Sequence, residues 1–415
     1  MHIGLAVFGT RGDVDPMVAL GLALHARGHE VTMFVNPSLS SACVGPLEVV
    51  EVGAPWSLSE VLAHPRSMDP RFVWNEVYMP QIKAFFDATL ATHRARPLDA
   101  IVAHVWTLGA QLAATHLGLA LGCVALQPMV WMSRAMPPRL NALDLPGWLR
   151  APTFRVAERA LMRGVFAPAL RRQARALGVP LASDADLPFR HFWDRARCHL
   201  GLWDPSFRPP QPDDPPRSHI LGFPQGHSRE ALDPDLLAFC EEHRPWVMGL
   251  GSALPVAHQE PYRLALAATD EPIVLVGADA DALGVKASSD RVRVVGRAPY
   301  SELFSRSRGV IHHGGVGTTA EALRAGVPQC VLAFGNDMFD NGERVVGLGA
   351  ATMREARRAT VDLLRTDLER LTRPEIRARA AELARALVSP EDALALAADR
   401  LEAAFCADLH VEARA

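Results

Sequence analysis

The sequence predicts an α/β protein built from two doubly wound domains, and three observations carry that prediction. Short apolar strands alternate with helical stretches along nearly the whole chain, which is the pattern of a parallel sheet covered on both faces. At 415 residues the chain is longer than a single hydrophobic core usually serves. A proline-rich stretch, around Pro205 to Pro224, separates two blocks of the alternation and reads as a linker.

The elements follow in order. "HIGLAVF" (His2 to Phe8) is an apolar strand closed by the turn "GTRGD". "VALGLALHARGH" has helical spacing and a glycine stop at Gly28, and "EVTMFV" (Glu30 to Val35) is the next strand. Asp13 or Asp15 is placed to cap that helix, which is expected to begin near Val14. Strands are expected at "DAIVAH" (Asp99 to His104) and "GCVALQ" (Gly122 to Gln127), and a long helix from Thr153 to Ala176. Beyond the linker come "WVMGLGS" (Trp246 to Ser252), "PIVLVG" (Pro272 to Gly277), "RVRVVG" (Arg291 to Gly296), "GVIHHGG" and "QCVLAF" (Gln329 to Phe334). The expected division is residues 1–210, residues 211–389, and a terminal helical stretch, 390–415, that crosses back to brace the first domain. Ligands in such sheets sit beyond the carboxyl ends of the strands, so the cleft between domains is the expected site.

Composition narrows the function. A net charge of −3 gives no reason to expect a nucleic-acid partner. The six cysteines form no CxxC pair, which suggests neither a zinc site nor a disulfide framework. The amino terminus lacks a signal-peptide pattern and the chain has no apolar run of about 18 residues, so a cytoplasmic location is expected. "HARGH" puts His25 and His29 on one helix face without a third ligand, and no metal site is read there. The 153–176 segment carries six arginines against Glu158; this is a solvated face or, alternatively, a peripheral contact with a membrane surface.

The stretch "VIHHGGVGTTAEALRAGVPQ" (Val310 to Gln329) holds the chemistry. A strand end runs into a glycine loop and then a helix capped by Thr318 or its neighbour. First-turn N–H groups and the helix dipole make such a junction an anion site. A histidine before the glycines can donate to a phosphate oxygen, and Glu321 lies within reach of sugar hydroxyls on the same ligand.

Together, "HHGGVGTTAEALRAGVPQCVLAFGNDMFDN" and "GTRGDVDPMVALGLALHARGH" resemble the family 1 nucleotide-sugar glycosyltransferases of the GT-B fold. That fold is two Rossmann-like domains facing an interdomain cleft. "VWTLGAQLA" and "DMFDNGER" make the likeness nearest to bacterial natural-product and rhamnolipid-type transferases, rhamnosyltransferases among them.

The resemblance implies an inverting, metal-independent transfer from a nucleoside diphosphate sugar, with no cofactor, to a hydroxyl of a hydrophobic or lipid-like acceptor. Asp13 stands where many relatives carry a histidine and would be the general base. On the donor side the resemblance places Gly12, Ser252, His313, Gly315, Gly317 and Thr318 near the diphosphate. Arg297 and Tyr300 would lie by the base, Glu321 by the ribose, and Asp337 and Met338 by the sugar. Glu321 tilts the expected donor toward UDP over dTDP, because a buried carboxylate facing a deoxyribose would lose a partner. Trp74, Tyr78, Trp106 and Trp131, with Phe85, Phe86 and Met132, are candidates for the acceptor pocket, although aromatics at such spacing more often belong to the core. Two alternatives stand beside this reading: a UDP-sugar epimerase of the same fold, and a non-catalytic accessory protein that activates a partner transferase.

Overall fold

The structure, a computed structural model, describes residues 1–57, 60–61, 64–66, 69–139, 145–179, 181, 188–224, 231–251, 259–335 and 337–406. Its first sheet is formed by β1 (His2–Ala6), β2 (Glu30–Val35), β3 (Glu48–Glu51), β4 (Ala100–His104), β5 (Ala120–Ala125), β6 (Cys198–Gly201) and β7 (Ser218–Ile220). The second contains β8 (Trp246–Gly249), β9 (Ile273–Val276), β10 (Val292–Val295), β11 (Gly309–His312), β12 (Gln329–Ala333) and β13 (Ala351–Glu355). The spatial orders are β3-β2-β1-β4-β5-β6-β7 and β10-β9-β8-β11-β12-β13, with every neighbouring pair parallel.

Strand order reverses between β1 and β4 in one sheet and between β8 and β11 in the other. At each reversal the flanking loops run to opposite sides and leave a crevice at the strands' carboxyl ends. Residues after Ala6, His104, Gly249 and His312 therefore line the two crevices.

Four strands escaped the sequence pattern: β3, β6, β7 and β13. They are short, and β3 and β7 are only half-buried, so they carry no long apolar run. β7 lies inside the stretch read as a linker, and the first sheet thus extends past residue 210. The preceding prolines do not form a free tether either. Arg208 is buried against the Trp131 and Trp203 rings and paired with Asp214, which pins the segment to the first sheet.

Helix α1 (Arg11–Ala26) starts at Thr10, earlier than expected, so neither Asp13 nor Asp15 is its cap. His29 lies beyond the helix and meets Glu402 at 2.8 Å, so His25 and His29 do not share a helix face. The expected 153–176 helix is longer: α3 (Gly147–Leu161) continues through a wide π turn, Met162–Phe166, into α4 (Ala167–Ala176). A second π turn, Val73–Tyr78, opens α2 (Met79–Ala95). Each precedes a proline, Pro168 or Pro80, at the start of the next helix. Proline has no N–H and its ring crowds the carbonyl four residues back, and a widened turn relieves both. Glu158, expected on the solvated face, is buried and bound to Arg134.

The halves share a core. Trp131, Trp203, Phe207 and Phe223 pack with Leu323, Val331 and Phe339. Polar ties join them as well: the Arg139 N–H donates to Asp340 (3.2 Å), and Arg150 pairs with Glu343 (2.7 Å). The last helix, α9 in the series once α5 (Tyr300–Ser305), α6 (Val316–Arg324), α7 (Asp337–Gly347) and α8 (Val361–Leu371) are counted, spans Pro390–Cys406. It inserts Ala397, Leu401 and Phe405 into the first domain's core and is held by Arg27 through Asp399 and Glu402. No helix among the described residues is long and apolar enough to cross a membrane.

Candidate active site

Thr10 and Asp13 close a capping box at the start of α1: the Thr10 N–H and hydroxyl donate to Asp13 Oδ2 at 2.8 and 3.1 Å. Gly9 has φ +155°, and a Cβ there would lie 2.3 Å from Asp13 Oδ2, so only glycine lets the carboxylate fold back over the loop. With Oδ2 so engaged, Oδ1 is the atom left for chemistry. It faces the Gln127 amide at 3.4 Å and His104 Nε2 at 3.9 Å. His104, Gln127 and Thr10 did not stand out in the sequence. The available signal was a histidine ending an otherwise apolar strand at the carboxyl edge.

Across the cleft, α6 begins at Gly315, which has no side chain to cap it. Thr318 is not the cap; it lies buried within the helix, and Thr319 turns its hydroxyl back to the Gly315 carbonyl (3.0 Å). The opening N–H groups thus have no side-chain cap.

His312 and His313 have different tasks. His312 accepts from the Gly314 N–H at Nδ1 (3.1 Å), so Nε2–H donates to Gln329 Oε1 (2.9 Å), and the ring is internal bracing. His313 lies between two glycine loops. A Cβ on Gly315 would fall 2.5 Å from its Nε2, and one on Gly251 would fall 2.5 Å from its Cε1. Burial pushes its pKa down to about 4, with the Gly249 backbone opposing, and among the described residues its Nδ1 has no hydrogen-bond partner. The ring is neutral near pH 7.

Asp337 opens α7, where Asn341 donates to its Oδ2 and to the Gly314 carbonyl, both at 3.0 Å. Its pKa rises to about 7, first because it is buried and then because the Asp13 carboxylate faces it across the cleft. Tyr78, projected by the π turn, feels both: burial, then Asp13, then Asp337 raise its hydroxyl. One residue of the second domain and two of the first therefore lie within electrostatic reach of one another.

The remaining expected residues divide. Gly12 lies in the first turn of α1. Gly317 is in the first turn of α6, and a Cβ there would meet nothing. Arg297 is exposed and close enough to lower the pKa of Asp15, whose own burial nonetheless raises it. Tyr300 stacks on Phe304 (4.5 Å between centroids), with its hydroxyl over Gly249, so its ring is committed to packing. Glu321 bonds Arg324 at 2.6 Å and is not a free carboxylate. Met338 is half-buried, and its carbonyl closes over Gly314. Ser252 lies outside the described residues.

Among the acceptor candidates, Trp131 belongs to the shared core, edge-on to Trp203 at 4.6 Å. Trp74 is buried against Phe166 (4.6 Å). Tyr78 and Trp106 are 5.2 Å apart and continue a row through Phe8, which directly precedes Gly9, to Trp56. Phe85 and Phe86 are buried core residues.

Comparison with known proteins finds relatives along nearly the whole chain. Residues 3–93 match the glycosyltransferase family 28 N-terminal domain, and residues 263–399 match the C-terminal domain of erythromycin biosynthesis protein CIII-like proteins. Glycosyltransferase GtfE of Amycolatopsis orientalis is 30% identical over 97% of this chain and 98% of its own length. O-mycaminosyltylonolide 6-deoxyallosyltransferase of Streptomyces fradiae is 30% identical over 99% and 95%. The solved glycosyltransferase of kitacinnamycin superposes with a TM-score of 0.75 at 24% identity, covering 97% of this chain and 99% of that one. VinC, solved in complex with dTDP, gives 0.67 at 21%, covering 97% and 99%.

Proposed function

This chain belongs to the GT-B family 1 glycosyltransferases of the natural-product type, enzymes with a nucleotide-sugar donor, and we propose the roles its residues take. The reading is an inverting transfer to a hydroxyl of a hydrophobic small molecule, with Asp13 as general base. One observation carries it: the Asp13 carboxylate, in the first domain with Tyr78, is close enough to Asp337 to raise its pKa, and Asp337 belongs to the domain that holds an uncapped helix end and the His313 ring. A base and an anion receptor on opposite sides of one gap suit in-line displacement at a sugar carbon.

In the proposed complex the α6 N–H groups and His313 receive the diphosphate and stabilise its growing charge without a metal ion. Asp337 accepts sugar hydroxyls. Arg297, exposed at the rim, lies flat on the base. The Trp56, Phe8, Tyr78 and Trp106 row lines the acceptor's path to Asp13. The exposed Trp148 and Val156 beside Arg155 and Arg159 on α3 would let a lipid-like acceptor be met at a membrane surface.

The nucleotide is the open choice. Glu321 supports UDP, because a carboxylate with one oxygen, Oε1, on Arg324 keeps a second oxygen that can accept from ribose hydroxyls. VinC bound to dTDP supports the other reading. A thermal-shift panel of UDP- and dTDP-sugars tests both, since a bound donor raises the melting temperature. A shift with UDP-sugars that Glu321→Ala abolishes supports UDP; a shift only with dTDP-sugars overturns it. Turnover retained in full by Asp13→Asn would remove the base assignment, and loss of turnover in EDTA would remove the metal-independent one.

A further inference from the structure

At the end of the second domain away from the cleft, a cavity of about 200 Å³ is lined by Arg244, Arg308, Thr372 and Arg377. Arg244 stands just before β8 and Arg308 just before β11, the paired strands at which that sheet's order reverses. Arg377 comes from the helix Pro374–Ala386. The Gly251 and His313 loops leave the opposite ends of the same two strands, so this cavity is separate from the site described above.

The three guanidiniums are not equally engaged. Arg308 is braced: its Nε–H donates to the Arg244 carbonyl (2.9 Å), one terminal nitrogen pairs with Glu271 (2.9 Å), and the other reaches the His243 carbonyl (3.5 Å). Each terminal nitrogen keeps one N–H unspent. Among the described residues the Arg244 and Arg377 guanidiniums have no hydrogen-bond or ion-pair partner. Thr372 sends its hydroxyl to the Glu369 carbonyl (2.7 Å), so the spare donors are all guanidinium N–H groups. No carboxylate is among the lining residues.

Both free arginines are held in place against local preference. Arg244 follows the helix Pro234–His243 in the left-handed conformation, φ +44° and ψ +65°, where glycine usually sits and a side chain is strained. Arg377 lies near the start of its helix, which has no side-chain cap, and a cation is disfavoured at that end of the dipole. A solvated surface gains nothing from setting like charges around one hollow; a ligand of opposite charge does.

We propose that the cavity is a binding site for a small oxyanion of more than one charge, inorganic diphosphate or phosphate. Guanidinium forks arriving from three elements suit the several oxygens of such an anion. The volume falls below the roughly 300–1,000 Å³ of pockets for drug-sized ligands, which suits the anion rather than a whole nucleotide. A phospholipid headgroup carries the same phosphate chemistry. The site does not rest on the roles proposed for the cleft.

Calorimetry with inorganic diphosphate at matched ionic strength tests it. The unmutated protein should bind, Arg377→Ala should weaken binding by about tenfold to a hundredfold, and Arg377→Lys should restore part of the loss. Arg244→Gly should weaken binding similarly while its melting temperature without the anion stays level or rises, because glycine takes the left-handed conformation freely. A merely structural arginine would show the reverse. Arg71→Ala removes an exposed charge from the first domain and should change nothing. No binding by the unmutated protein, or equal weakening in Arg71→Ala, overturns the site. Binding that survives Arg377→Ala but is lost in His313→Ala lies in the cleft and overturns it too. Sedimentation with phosphatidate vesicles identifies the source. Diphosphate binding without vesicle binding supports a free anion, and vesicle binding that Arg377→Ala abolishes supports a headgroup.

Discussion

Two strand-to-helix junctions face each other across this molecule, and they solve the same local problem in opposite ways. Phe8 to Asp13 joins β1 to α1, and His312 to Val316 joins β11 to α6; each lies at the reversal point of its own sheet. In both, a side chain folds over a glycine that has no room for a Cβ: Asp13 over Gly9, His313 over Gly315. In the first, Thr10 and Asp13 satisfy the helix end from within, so the junction presents negative charge. In the second, no side chain caps the helix, so the junction presents bare N–H groups. The same backbone device yields a carboxylate on one wall and uncapped N–H groups on the other. Capping chemistry decides which.

That contrast can be broken from either side. Asp13→Asn removes the basic oxygen while keeping its shape, and kcat should fall by about 10²–10⁴ with donor affinity preserved. His313→Ala removes the ring donor from the opposite wall and should cost about 10²–10³ in kcat. If instead it weakened only donor binding, the histidine would be holding the ground state. Gly315→Ala should be milder: its new Cβ would fall 2.5 Å from His313 Nε2. Pushing the ring off its rotamer costs about 0.5–1.5 kcal/mol, at most roughly tenfold in donor affinity by calorimetry.

Asp337 sharpens the comparison through pH. Its carboxyl is raised from 3.8 to about 7 in the folded protein, so the folded state binds the proton more tightly than the unfolded state. Its contribution to stability is therefore complete in acid and is lost as pH rises from 3.8 through about 7. Denaturation at stepped pH should show that decline as the difference between the unmutated protein and Asp337→Asn, because the buried His199, His312 and His313, all lowered, slope the other way. Donor affinity should move the other way, rising through pH 7 as the carboxylate ionises. His313, lowered from 6.5 to about 4, works the other way: its contribution to stability is lost as pH falls from 6.5 through about 4. Smallest of all, Thr10→Ala opens the capping box and should lower stability by about 1 kcal/mol in urea, with donor-induced thermal shifts retained.

Much of this was legible beforehand, for identifiable reasons. The central strands are continuous apolar runs because both faces are covered, and "EVTMFV" coincides with β2 to the residue. The glycine loops announce themselves because close approach excludes other side chains. The edge strands β3 and β7 did not show, since half-exposed strands need no apolar run. His104 and Gln127 gave no local signal either: their importance lies in standing next to Asp13, some ninety and more positions away in the chain.

By itself the sequence determined the alternation of elements, the two glycine junctions and the family. These depend on backbone geometry and short-range pattern, which adjacent residues specify. Only the tertiary structure decided which Asp13 oxygen is spare, that Glu321 is already tied to Arg324, that Trp131 and Tyr300 serve packing, and that Asp337 shares its surroundings with Asp13. Charge and hydrogen-bond capacity are settled by what stands opposite a group in space, and the folded chain alone brings those partners together.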